Sequence, residues 1–192
     1  TIMNSTKSET IESSSGDPFW EKAEMVLLQA LFYYVLFRCP EEERNFKKVL
    51  ELIRLGEIDQ KGNSELGNKF IEWEKDDSDN IGVKQWKHFM VSAKTPKTMS
   101  TIIMTASARL APFNLREVER MTVDDTMELD RIGKPLNLTD KNGKRKDGKV
   151  AYFIITNPND KAFNFLANLM YSQIFNIIDQ NAGDNDGRLA IP

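Results

Sequence analysis

The stretch Asp17–Phe37 constrains the fold most strongly, because apolar residues cover almost the whole circumference of the helix that it predicts. Asp17 and Pro18 are typical of a helix start, since the carboxylate accepts backbone N–H groups and proline loses no hydrogen bond there. The stripe comprises Trp20, Ala23, Leu27, Ala30, Leu31 and Tyr34, widened by Val26, Leu28, Phe32, Val35 and Phe37. A helix apolar on nearly all sides is either buried or membranous. Polar residues such as Glu24 and Gln29 keep its apolar run far below the roughly 18 residues of a bilayer span. We therefore expect the central buried helix of a soluble helical domain.

Composition excludes several classes of protein and selects none. The chain has 192 residues and a net charge of -3, so contact with nucleic acid or membrane would depend on a local patch. Cys39 is the only cysteine, which excludes an internal disulfide and a thiolate metal cluster. The first 16 residues are polar and rich in serine, unlike a signal peptide, and predict a flexible lead-in. Both ends look cut, which indicates a fragment of a larger protein.

Residues 17–130 predict an all-α domain, because apolar residues recur at helical spacing and no convincing alternation is present. Four further helices are indicated by Phe46, Val49, Leu50 and Ile53; by Leu66, Phe70 and Trp73; by Val83, Trp86, Phe89 and Met90; and by Met99, Ile102, Ile103, Ala106 and Leu110. Asn114 is the predicted cap of another helix through Val118 and Met121.

The pattern changes in residues 131–192. Leu136–Thr139 predicts a short strand, and Asn142-Gly143 is typical of a hairpin turn. Residues 150–156 are β-branched and aromatic and predict a buried strand, which a helix over residues 160–180 follows. Strand, helix and the loop toward a further strand suggest one βαβ unit of an incomplete α/β sheet.

The motifs that usually carry chemistry are weak. Gly143–Val150 has the spacing of a phosphate-binding loop, but it precedes a strand and has valine where a hydroxyl belongs. Residues 77–88 resemble a calcium loop only faintly, because Ile81 and His88 occupy ligand positions. His88 is the only histidine, so the usual zinc sets and catalytic triads have no basis. We assign no catalytic, cofactor-binding or metal-ligating residue.

A concentration of cations between residues 82 and 110 is the best candidate for a binding surface. It consists of Lys84, Lys87, Lys94, Lys97 and Arg109, in a chain that is acidic overall. With Trp86 beside them, these side chains are candidates for contact with a nucleic-acid backbone or a protein partner. The alternative is an ordinary solvated helix face. A second basic cluster, between Lys141 and Lys149, is most simply a hairpin tip.

Three segments carry a resemblance to a known family. They are Asp17–Glu24 (DPFWEKAE), Lys94–Phe113 (KTPKTMSTIIMTASARLAPF) and Ala151–Gln173 (AYFIITNPNDKAFNFLANLMYSQ). Through them the chain resembles the TraG/TraD family of type IV secretion coupling proteins, which are membrane-anchored, hexameric, RecA-like ATPases of conjugation. The resemblance implies that the first two segments belong to an all-α domain and the third to the nucleotide-binding domain. The basic stretch Lys134–Lys149 departs from the short link of the family, so its role stays open.

The resemblance implies a fragment lying between the two nucleotide-binding motifs of its parent, at the cytoplasmic face of the bacterial membrane. Such a fragment would dock a relaxase, relaxosome proteins and, as one possibility, single-stranded DNA, beside other secretion components. The alternative is an architectural module that helps subunits of the homohexamer assemble. ATP and Mg²⁺ would bind to the parent, and no cofactor to this fragment.

Overall fold

A computed structural model describes residues 18–59, 63–123, 126–132, 137–139, 145–147, 151–156 and 163–183. It divides into two compact units, the first containing residues 18–123 and the second the described segments from residue 126 onward. The protein is mainly helical, as the sequence predicts. The predicted lead-in, residues 1–16, lies outside the described residues.

The described part of the first unit contains six α-helices. They are α1 (Pro18–Arg38), α2 (Phe46–Arg54), α3 (Glu65–Asp76), α4 (Ile81–Ser92), α5 (Pro96–Leu110) and the short α6 (Arg116–Met121). Turns of 3-10 helix at Glu41–Glu43 and Ala111–Asn114 connect α1 to α2 and α5 to α6. The helical segments predicted between residues 17 and 130 are therefore present, with bounds that differ by a few residues.

Polar side chains immediately before four of the helices fix where each begins. Asn45, Ser64, Asn80 and Thr95 each accept a hydrogen bond from a first-turn backbone N–H, at 3.0 to 3.2 Å. Such caps satisfy backbone donors that have no partner inside the helix. The predicted cap at Asn114 is wrong. Leu115 precedes α6, and the Asn114 side-chain oxygen accepts a hydrogen bond from the Arg54 guanidinium at 2.7 Å instead.

Helix α1 is at the centre of the first unit, as its apolar circumference predicts. Leu27, Ala30 and Leu31 have no exposed surface, and α1 packs against α2, α4 and α5. The ring of Tyr34 also contacts Phe70 and another aromatic ring of α3. Burial of each leucine contributes roughly 2 kcal/mol. The predicted apolar face of α5 is likewise buried along its whole length.

The first turn of α1 departs from the prediction. Trp20, placed by its spacing in the buried stripe, is 39% exposed and packs edge-to-face on Phe19. The first buried residue of α1 is Ala23. The N-terminal turn of the helix therefore extends beyond the hydrophobic core. Phe37 in the last turn of α1 and Met90 of α4, also predicted to lie inward, are exposed as well.

The second unit contains two short strands and one long helix among its described residues. β1 (Asn137–Thr139) pairs antiparallel with β2 (Arg145–Asp147), and Asn137 lies opposite Asp147. The predicted Asn-Gly turn between them lies outside the described residues. Helix α7 (Asn164–Gly183) corresponds to the helix predicted over residues 160–180, but it begins at Asn164. The side-chain amide of Asn181 donates a hydrogen bond to the carbonyl of Ile132 at 2.6 Å.

The strand predicted over residues 150–156, the remnant of a RecA-like sheet, is not shown. Residues 151–156 are described without strand pairing, and Val150 lies outside the described residues. Phe153 and Ile155 are 88% and 95% exposed. β-branched and aromatic residues favour a strand only where a neighbouring strand supplies hydrogen bonds and packing. No described segment pairs with residues 151–156.

Candidate partner-binding surface

The five predicted cations lie on two consecutive helices and the link between them. Lys84 and Lys87 are on α4, Lys94 is in the link, and Lys97 and Arg109 are in the first and last turns of α5. The four lysines are exposed, whereas Arg109 is largely buried. The structure therefore separates Arg109 from the lysines with which the sequence grouped it.

The two lysines of α4 are already engaged by acidic neighbours. The ammonium of Lys84 lies 3.1 Å from a carboxylate oxygen of Asp79, and that of Lys87 lies 2.7 Å from Glu74. All four side chains are well exposed, so each pair is worth at most about 1 kcal/mol. The neighbouring carboxylates nevertheless reduce the local positive potential. These lysines are consequently weaker candidates for binding an anion.

Arg109 joins two helices within the first unit. Its guanidinium binds both carboxylate oxygens of Glu24 on α1, with the Nη2–Oε2 distance at 3.2 Å. The side chains of Arg109 and Glu24 are 16% and 5% exposed. A charge held in a bidentate pair inside the protein is not presented to an external phosphate. The sequence alone does not identify Glu24 as the partner of Arg109, because 85 residues separate these two positions.

Lys94 and Lys97 differ from the other three cations. Both are exposed, and neither forms an ion pair with a residue that the structure describes. They flank Thr95, which caps α5 by accepting a hydrogen bond from the backbone N–H of Thr98. The N-terminus of a helix carries partial positive charge, so a cation there is unfavourable by typically 0.3–1 kcal/mol. The folded unit thus gains no evident stability from this lysine pair.

A separate charged cluster connects α2 to α6. Lys47 and Glu119 form an exposed ion pair at 2.8 Å. The hydrogen bond from Lys47 lowers the pKa of the Glu119 carboxyl and raises that of the Lys47 ammonium. Arg116 and Arg54 also lower the pKa of Glu119 by their charge. This cluster links α2 to α6 and was not singled out from the sequence.

The described residues contain no group of three or more His, Cys, Asp or Glu side chains able to hold a metal ion. In the same part of the chain, no helix has the length and apolar character required to cross a membrane.

Together these observations define a mainly helical protein that exposes two lysines, Lys94 and Lys97, at the start of one helix, and neither forms an ion pair with a described residue. The family described as type IV secretory system conjugative DNA transfer matches residues 2–191, and the chain belongs to that family. The resemblance to TraG/TraD-type coupling proteins is thereby confirmed. No curated protein and no solved structure gives a match.

Proposed function

We propose that the helical unit is a docking module that recruits the relaxase and its DNA in conjugative transfer, and that it performs no chemistry by itself. In this proposal it acts beside other type IV secretion components at the cytoplasmic face of the cell membrane. The ATPase activity, with its ATP and Mg²⁺, belongs to a longer, hexameric, membrane-anchored protein. Family membership supports the link to DNA transfer.

The lysine pair Lys94 and Lys97 carries the proposal. Both side chains are exposed, lack an ion pair with any described residue, and lie at the helix end where a cation is electrostatically unfavourable. Because neither ammonium group is engaged in an ion pair within the described residues, both are available to an external anion. The phosphate backbone of a nucleic acid, or an acidic surface of a partner, complements them.

Fluorescence anisotropy with a labelled single-stranded oligonucleotide tests the DNA contact. We expect binding at low salt, with an affinity that falls as salt rises. Each phosphate contact contributes about 0.7 to the slope of log affinity against log salt. The double variant Lys94→Gln/Lys97→Gln should therefore lower the magnitude of that slope by about 1.4.

A matched control removes two exposed lysines elsewhere on the first unit. Lys22→Gln/Lys75→Gln changes the net charge equally, and both positions are exposed, on α1 and α3. Its salt slope should stay that of the unchanged protein. No binding at low salt, or equal slopes for the two double variants, would refute direct DNA contact through Lys94 and Lys97.

Recruitment of protein is tested separately, by pull-down of purified relaxase and relaxosome proteins with the whole chain. Retention of the relaxase supports docking. Failure to retain any of them, together with self-association in sedimentation velocity, would favour the architectural alternative, in which the unit only helps subunits to assemble.

A further inference from the structure

A second surface lies where α1 ends, α3 ends and α4 begins. The ring of Phe37 stacks on Tyr33 at 6.1 Å and lies 6.4 Å from Trp73 of α3. The start of α4 approaches so closely that a Cβ at Gly82 would lie 2.3 Å from Trp73 and 2.9 Å from Tyr33. Three helix ends therefore converge on one aromatic cluster, and glycine permits the approach.

Part of this cluster is open to solvent. Phe37 is 50% exposed, Ile81 at the start of α4 is 45% exposed, and Tyr33 is partly exposed, whereas Trp73 beneath them is buried. We call Tyr33, Phe37 and Ile81 the aromatic patch. Ile81 belongs to this surface through its position in the chain, because it directly precedes Gly82, which lies against Tyr33 and Trp73. Large exposed apolar side chains near one another are typical of a contact with another protein.

An acidic segment borders the aromatic patch. Residues 72–79 contain five carboxylates and a single lysine. Asp76 pairs with Arg38 at the end of α1, at 2.9 Å, and Asp79 pairs with Lys84. Glu74 pairs with Lys87 in the same way, and all three pairs are exposed and weak. The other two carboxylates, Glu72 and Asp77, form no ion pair with a residue that the structure describes. The rim therefore favours positive charge.

We infer that the aromatic patch with its acidic rim docks a basic amphipathic segment of a partner protein, in which apolar residues alternate with lysine or arginine at helical spacing. The apolar residues would cover Phe37 and Ile81, while the cations would pair with Asp76 and Asp79. A symmetric contact between two copies fits less well, because it would bring like-charged rims together. Docking at the aromatic patch involves neither Lys94 nor Lys97 and is independent of the proposed DNA contact.

The test is a titration of the isotope-labelled whole chain, followed by heteronuclear NMR, with a synthetic 14-residue leucine–lysine helix. A peptide with glutamate in place of lysine is the control. We expect shift changes at Tyr33, Phe37, Ile81 and the Trp73 indole, and none with the glutamate peptide. Shift changes centred elsewhere, or equal binding of the two peptides, would overturn the inference.

Two sets of variants make the outcome specific. Ile81→Ser should weaken peptide binding by about fivefold or more, as removal of a central apolar contact does. Met104→Ser, at an apolar residue of α5 that is 65% exposed, should leave it unchanged. Asp76→Asn/Asp79→Asn should weaken binding and flatten its salt dependence. Unchanged affinity in this variant, or self-association of the chain that Ile81→Ser abolishes, would contradict a basic partner.

Discussion

The ion pair between Glu24 and Arg109 offers the most direct test of how the first unit is held together. Substitution Arg109→Met keeps much of the aliphatic volume and leaves a carboxylate, only 5% exposed, without its bidentate partner. Removal of one member of a buried pair costs about 3–5 kcal/mol. Because water reaches part of the Arg109 side chain, we expect the lower end, about 3 kcal/mol.

Urea unfolding followed by tryptophan fluorescence suits this measurement. All three tryptophans of the chain, Trp20, Trp73 and Trp86, belong to α1, α3 and α4, so the signal reports on the first unit alone. With a slope of about 2 kcal/mol per molar urea, a loss of 3 kcal/mol lowers the midpoint by about 1.5 M.

Two further variants distinguish the cost of leaving the Glu24 carboxylate unpaired from the cost of lost side-chain packing. The double variant Glu24→Leu/Arg109→Met should recover most of the free energy of unfolding, since apolar residues of similar volume often replace a buried pair without loss. Arg54→Met, which removes an exposed hydrogen bond to Asn114, should cost less than about 1 kcal/mol. If Arg109→Met moves the midpoint no more than Arg54→Met does, the pair is not a buried interaction of this strength.

Three further predictions concern caps, close packing and pH. Thr95→Ala removes the cap of α5 and should lower the free energy of unfolding by about 1 kcal/mol, whereas Thr95→Ser should retain it; urea midpoints compare the two. Gly82→Ala places a Cβ against Trp73 and should cost about 1–3 kcal/mol, with a changed near-ultraviolet circular dichroism of the tryptophans; an unaltered midpoint would contradict the close approach. The pKa of Glu119 is lowered from 4.5 by the hydrogen bond from Lys47, so its contribution to stability is present above pH 4.5 and is lost as the pH falls through the lower, folded value. Glu119→Gln should therefore lose less free energy of unfolding between pH 7 and acid than the unchanged protein; equal losses would reject this role.

The helices of the first unit were predictable because their spacing and caps are local signals. All five apolar residues that mark α5 are buried, and Thr95 caps that helix. The burial predictions that were wrong depend on where a residue lies in the tertiary structure. Trp20 has the right spacing for burial, but the core does not extend to the first turn of α1.

The candidate surface was predictable only as a set of cations in the sequence. Spacing shows that Lys97 and Arg109 share a helix, but it does not show that Glu24 faces one of them across the fold. Pairing of Lys87 with Glu74 likewise depends on how α3 and α4 pack. The strand predicted over residues 150–156 shows the same dependence in the second unit, because a strand needs a partner that composition does not specify.

The central place of α1 also bears on the order in which the chain is made. Its neighbours α4 and α5 end at Ser92 and Leu110, 54 and 72 residues after the end of α1 at Arg38. At a synthesis rate of about 5–20 residues per second, α1 waits roughly 3–11 s for α4 and roughly 4–14 s for α5. During that interval Leu27 and Leu31 lack the contacts that bury them in the native unit. Apolar surface that stays exposed in this way is prone to aggregation until the unit is complete.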